Sequence, residues 1–319
     1  MHITHAYKSP VLHLAPAPSV EYYYVLMENS CQTGRPSLWL KAAAQPAVSR
    51  VLGRLYNTRV PSVILGPIIK TYADVYDVDL SEVDRPLYEY GTFGDFFSRS
   101  LRQGARKFDS DPHNALWPCD GTVVDAGEIG KDPHATAMTV KGIRYPLDVF
   151  LGYPEGARQL ARGGYVIVHL KPGDYHRMHW PVDVAIRGIR HIPGRRYPVN
   201  SLGLNSGARV YTENERVVIV TEYGDKYRLF VVLVSAFSVG GISLKFDTLK
   251  TDTGSDGFPY EKWYTAARRG IRGEELGAFH LGSSLVLAWS RGLFDPVDAG
   301  SGRVKTGSVM TSIRSEEDG

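Results

Sequence analysis

Cysteine is nearly absent from this 319-residue chain: Cys31 and Cys119 are its only two. So few thiols exclude a disulfide framework and a four-thiolate zinc site, and they point to a reducing compartment. The first residues lack a continuous apolar stretch leading to a small-residue cleavage site. His2, His5 and Lys8 therefore do not introduce a secretory signal, and export is not expected. No run is long enough to cross a bilayer as a helix. The most apolar stretch, Leu229 to Ile242, is short, β-branched and glycine-bearing, and reads as a buried strand pair. A strong excess of one charge is lacking too: a net charge of +3 and a pI near 8.7 suit an anionic surface but not the basic stripe of a nucleic-acid binder.

What is present is an ordinary globular composition, 43% hydrophobic and 22% charged, enough for one large core or two modest ones. Residues 1–36 scatter Pro10, Pro16, Pro18 and Pro36 around the aromatic cluster Tyr22 to Tyr24, without sustained periodicity, and read as a loosely ordered leader. From 37 to 76 the pattern turns helical. Val48, Val51, Leu52 and Leu55 share one helix face, and Pro61 fits the first position of a second helix carrying Val63, Ile64, Leu65, Ile68 and Ile69. Two readings of these helices stay open: a lid packed on the main core, or an interfacial pair whose apolar faces enter a membrane while Lys41, Arg50, Arg54 and Arg59 meet anionic headgroups.

A further helical segment, Phe93 to Leu101, leads into strand-like stretches at Gly121–Ala126, Tyr165–Leu170, Arg216–Glu222 and Leu229–Ala236. Helices first and strands afterwards predict an α+β fold, with N-terminal helices followed by a mostly antiparallel β core, as a barrel or a sandwich. The acidic Glu316–Asp318 tail is expected to fray.

Three segments could carry chemistry. Lys171 to Pro181 packs Asp174, Tyr175, His176, Arg177 and His179 behind an apolar strand, which suits acid–base work or metal ligation, although no third ligand stands nearby. Asp120 sits in Trp117-Pro118-Cys119-Asp120-Gly121, where a simple turn would explain it as well. Gly282-Ser283-Ser284 lies between a polar turn and an apolar strand, with no Gly-x-Ser-x-Gly elbow around it. Each alone is weak.

Together they resemble the phosphatidylserine decarboxylase family. Asp174-Tyr175-His176-Arg177, His179 and Pro181 are similar to its Asp-Tyr-His-Arg-x-His-x-Pro motif, and Leu281-Gly282-Ser283-Ser284 resembles its Leu-Gly-Ser-Thr processing site, with Ser284 in place of threonine. Phe96-Phe97-Ser98-Arg99 with Leu101-Arg102, Pro118-Cys119-Asp120-Gly121, Val140-Lys141-Gly142 with Tyr145, and Asn214-Glu215-Arg216-Val217 follow in the family's order. The likeness spans roughly Ser37 to Thr306. It departs from the family at Val184, where a glycine is usual, and at Ser235 and Gly241.

The resemblance implies a self-cleaving proenzyme whose catalytic region is 77–319, cut at Gly282/Ser283 into a β chain of residues 1–282 and an α chain of 283–319. Ser283 would become a pyruvoyl group that forms a Schiff base with phosphatidylserine and serves as the electron sink for loss of carbon dioxide. Neither pyridoxal phosphate nor a metal would be required. It assigns Asp120, His179 and Ser283 to self-cleavage and His176 to acid–base work in decarboxylation. An unperturbed imidazole, with a pKa of about 6.5, would suit that second task. It further implies a homodimer of cleaved protomers, peripheral on the cytoplasmic face of the cell membrane at an anionic surface, with no nucleic-acid partner. The competing expectations are a pyruvoyl-dependent decarboxylase of a free amino acid, an unprocessed lipid-binding protein on the same fold, and a metal-dependent hydrolase using His176 and His179.

Overall fold

The computed structural model describes residues 36–131, 137–140, 142–199, 206–236, 241–251, 259–280, 282–300 and 302–314. Nearly all of the expected leader, Cys31, Lys141, Leu281 and the acidic tail lie outside them. Four helices come first: α1 (Leu38–Ala43), α2 (Pro46–Tyr56), α3 (Ser62–Tyr76) and α4 (Phe93–Phe97). Strands follow as β1 (Asn114–Leu116), β2 (Gly121–Glu128), β3 (Ala137–Val140) and β4 (Ile143–Pro146), then helices α5 (Leu147–Leu151) and α6 (Pro154–Gln159). Next are β5 (Gly164–Leu170), β6 (Arg177–His179), β7 (Val184–Ile192), α7 (Val210–Glu213), β8 (Arg216–Tyr223), β9 (Tyr227–Ser235) and β10 (Ile242–Leu244). The chain closes with β11 (Tyr260–Gly270), β12 (Glu275–Phe279), β13 (Ser283–Trp289), β14 (Arg303–Val304) and β15 (Val309–Ser312).

Eight strands form one antiparallel sheet in the order β11-β7-β8-β9-β13-β5-β2-β14. The ends β11 and β14 do not meet, so the expected α+β architecture takes the sandwich form rather than the barrel. Alternation puts side chains on both faces. Along β13, Val286 and Ala288 enter one core with Leu40, Phe150 and Tyr211, while Leu285 and Leu287 enter the other with Met178, Ile242 and Phe279. The second core is covered by the small sheet β10-β12-β6, which carries His179. Leu229 to Ile242 yields two strands, as expected, but β9 and β10 belong to different sheets and do not pair.

The helical segment 37–76 is not one unit. Leu40 and Ala44 join the main core, and the Arg196 amide donates to the Ala44 carbonyl at 2.9 Å. In α3, Leu65, Ile69 and Ala73, spaced four apart, pack with Val78, Val83, Tyr90 and Phe96 in a small separate cluster. Pro61 caps α3 instead of occupying its first turn. The outward face is the surprise. In α2 the buried positions are Ser49 and Gly53, while Val48, Val51 and Leu55 face outward, and in α3 Val63 (80% exposed), Ile64 and Ile68 do the same. The lid reading therefore accounts only for the inner half of these helices.

Candidate active site

Strand β13 begins at the candidate nucleophile, flanked by Leu170 of β5 and Ser235 of β9 in the sheet register. Ser283 is fully buried, and its Oγ has no hydrogen-bond partner among the described residues. Such an orphaned hydroxyl costs about 1–3 kcal/mol, so it marks a position kept for something other than stability. Gly282 enters the strand at φ +32°, a conformation that favours glycine. Both carbonyls around Ser283 have donors: the Ala236 amide donates to the Gly282 oxygen at 3.0 Å, and the His169 Nδ1 lies 3.1 Å from the Ser283 oxygen.

The motif histidines stand beyond a turn after β5. His179 lies on β6, with Nδ1 2.8 Å from the Gly273 carbonyl and Nε2 3.2 Å from the Tyr175 hydroxyl. A carbonyl can only accept, so Nδ1 carries the proton and Nε2 is the basic nitrogen, which accepts from Tyr175. His176 is fixed in the same tautomer by the Asp174 carbonyl at 2.9 Å, and its buried Nε2 has no partner among the described residues. Burial pushes its pKa down to about 3, and Arg99 and His169 add to the shift. Burial sets His176 apart from the ordinary imidazole expected of it and favours the neutral ring, with Nε2 as the proton acceptor. Burial also lowers the pKa of His179 and His169.

Asp120 precedes β2 and accepts from Arg106 Nη2 at 2.6 Å and from the Thr306 amide at 2.8 Å. Burial raises its pKa against the pull of Arg106. At Gly121 a Cβ would stand 2.6 Å from the His169 carbonyl, so this Asp-Gly pair meets a close backbone approach. The His179 amide donates to the Pro118 carbonyl at 2.7 Å and ties the two motifs together. Among the described residues no hydrogen bond joins Asp120, His179 and Ser283 to one another. Gly273 orients the His179 ring, and Asp120 acts on it only through its charge.

The upstream signature braces this centre, a role its sequence did not announce. The Phe97 ring packs 4.2 Å from His176, Arg99 donates to the Gly173 carbonyl at 2.9 Å, and Arg177 donates to Ser98 O and to Glu275 at 3.0 Å. Asp174 is held by Arg303 and by the Lys171 amide, both at 2.7 Å. His169 and Ala236 were also missed: the first falls in an apolar strand outside any motif, and the second contributes only its backbone. A cavity of about 660 Å³ runs from Leu55, Ile68 and Tyr72 to His169, Ala236 and Gly282. No three His, Cys, Asp or Glu side chains converge as a metal-binding group among the described residues.

Residues 93–311 match the family model described as Phosphatidylserine decarboxylase. Three curated relatives carry the description phosphatidylserine decarboxylase proenzyme. That of Myxococcus xanthus is 32% identical over 81% of this chain and 88% of its own length. That of an Anaeromyxobacter species is 33% identical over 85% of this chain and 95% of its own. That of Bordetella avium is 34% identical over 85% and 88%.

Proposed function

This chain belongs to the phosphatidylserine decarboxylase family, and from that we propose that it is made as a proenzyme that cuts itself at Gly282/Ser283 and then decarboxylates phosphatidylserine to phosphatidylethanolamine. It is a carboxy-lyase. The observation that carries the cleavage is the orphaned Ser283 Oγ beside a Gly282 carbonyl already held by a backbone amide.

Ser283 Oγ attacks the Gly282 carbonyl carbon, and negative charge gathers on the oxygen that Ala236 N–H holds. One such donor is worth about 10²–10³ in rate. The peptide C–N bond breaks to leave an ester. Loss of the Ser283 Cα proton and of the Gly282 carboxylate gives a dehydroalanine, which takes up one water and releases ammonia to end as a pyruvoyl group. Ser283 fits that group because its small side chain is buried, unpartnered and next to the cavity-lining Gly282. The ketone supplies the electron sink that decarboxylation of an amino acid requires.

We assign Asp120, His179 and Ser283 to cleavage. His179 Nε2 is the basic nitrogen nearest in role, and it must first give up the Tyr175 hydroxyl. We assign His176 to turnover: its neutral Nε2 takes a proton from the substrate ammonium and holds it for return to the substrate's α-carbon. The outward Val63, Ile64 and Ile68 support a peripheral membrane site, with the cavity opening among the same helices. Among the described residues no helix is long and apolar enough to cross a membrane. We place the protein on the cytoplasmic face, in keeping with its scarce cysteine.

The test is intact-mass analysis of purified protein with turnover in vesicles. Two chains of residues 1–282 and 283–319, the second pyruvoyl-blocked, and turnover of phosphatidylserine in vesicles well above that of free serine are expected. A single uncut chain that is active would overturn the cleavage, and faster turnover of free serine would overturn the substrate.

A further inference from the structure

We propose that His169 is a catalytic residue of the maturation reaction, its Nδ1–H holding the Ser283 carbonyl oxygen and stabilising the enolate that forms when the ester eliminates. The inference rests on cleavage at Gly282/Ser283. Its starting point is that maturation loads charge onto two different oxygens in turn. During attack the charge sits on the Gly282 oxygen. During elimination the Ser283 Cα–H bond breaks, its electron pair moves onto the Ser283 carbonyl oxygen as an enolate, and that pair then returns to form Cα=Cβ. The Cβ–Oγ bond breaks with it, and the electrons leave on the Gly282 carboxylate while the proton passes to water in the adjoining cavity.

The structure supplies each oxygen with its own donor. Ala236 N–H serves the first at 3.0 Å, and His169 Nδ1 serves the second at 3.1 Å. Since a carbonyl oxygen only accepts, the proton must reside on Nδ1. His169 approaches from behind the nucleophile. It stands between Val168 and Leu170, which face the core shared with Leu285, so alternation turns its ring to the opposite face with Ser284, its register partner. The ring therefore reaches the Ser283 carbonyl without competing for the Oγ. Burial favours its neutral form, and it lines the same cavity as Gly282.

The donor to the Gly282 oxygen is a backbone amide that only proline would remove, whereas His169 offers a side chain. The two steps are therefore separable by mutation. His169→Phe keeps the ring's shape and removes the donor, so attack should proceed and elimination should stall, slowed about 10²-fold or more. His169→Asn places an amide N–H where Nδ1 was and should mature within several-fold of wild type.

The experiment follows freshly expressed precursor by intact mass with and without hydroxylamine. The ester has the mass of the precursor, but hydroxylamine cleaves it into a 1–282 hydroxamate and a 283–319 chain that begins with unmodified serine. Accumulation of those two products in folded His169→Phe, with near-normal maturation of His169→Asn, is expected. Wild-type maturation of His169→Phe would overturn the proposal, as would a folded precursor that resists hydroxylamine or a folded His169→Asn as slow as His169→Phe. Should the phenylalanine variant not fold, His169→Gln, whose amide stands one bond too far out, is judged by the same outcomes. A wild-type chain never cut at 282/283 would instead overturn the maturation reading beneath it.

Discussion

Helices α2 and α3 turn Val51, Leu55, Val63 and Ile64 outward, whereas strand β13 buries the Ser283 hydroxyl with no partner among the described residues. Each departs from what stability alone selects. An apolar side chain left in water forgoes about 1.5–3 kcal/mol, and a buried unpaired hydroxyl costs about 1–3 kcal/mol. The two departures meet, because the 660 Å³ cavity has Leu55 and Ile68 of those helices in one wall and Gly282 in another. Where a fold is unfavourable at both ends of one cavity, the cavity is the candidate site: the apolar end suits a lipid, and the end at Gly282 is where the proposed cleavage would make the electrophile.

The largest expected effect breaks the polar end outright. Ser283→Ala removes the nucleophile and should leave a single uncut chain by intact mass, with no detectable decarboxylation. His179→Ala and Asp120→Asn should also leave mostly precursor, and efficient cleavage in either would remove that residue from the set. His176→Ala should sharpen the division of labour: cleaved normally, but slower in turnover by about 10²-fold or more, as for loss of an acid–base group. An uncut His176→Ala protein would reverse the roles of the two histidines.

The two regions differed in how much their sequence disclosed. In the sheet, alternation in β2 and β-branched runs in β5, β8 and β9 predicted these strands to within a few residues, and the last three, buried on both faces over most of their length, leave little choice of composition. Asp120, His176, His179 and Ser283 were legible as motifs. Their wiring was not: the Gly273, Asp174 and Ala236 contacts use backbone groups, which have no side-chain signature, and His169 sits in a strand whose pattern disclosed only that it was a strand. The helices misled in another way. Their apolar stripe has the spacing of a core-facing helix, yet in α2 small residues, Ser49 and Gly53, face the protein. Periodicity reports that a face is apolar but not what covers it.

At the apolar end, replacing Val63, Ile64 and Ile68 with serine removes three outward side chains, of which Ile68 lines the cavity, and none from the α3 cluster of Leu65, Ile69 and Ala73. If each contributes on the order of 1 kcal/mol on partial entry into a bilayer, binding to anionic vesicles falls by about 3 kcal/mol, roughly 100-fold. Self-cleavage should be unaffected. Vesicle co-sedimentation beside intact mass checks both, and unchanged binding would detach the exposed face from membranes.

The smallest effect concerns what the buried polar end costs in stability. Burial lowers the pKa of His176 to about 3 and of His280 to about 4, and lowers those of His169 and His179 as well. In each the folded state disfavours the proton that the unfolded chain accepts near its ordinary pKa of about 6.5. Below that value the unfolded state binds more protons, so stability is full above it and declines as pH falls towards the folded pKa values. For His176 alone, going from about pH 7 to about pH 5 should remove about 2 kcal/mol. Asp120, whose pKa is raised, works in the opposite sense, so the assignment needs a variant. Urea unfolding of the uncut Ser283→Ala chain gives a single-chain transition to follow. It should show this decline, and adding His176→Phe, which fills the site next to Phe97 without a titrating group, should make the slope shallower. An unchanged slope would mean that the His176 ring takes up its proton at the same pH folded as unfolded, and a steeper one that it is held protonated in the fold, with its Nε2 donating to a partner instead of standing free to take a proton from the substrate.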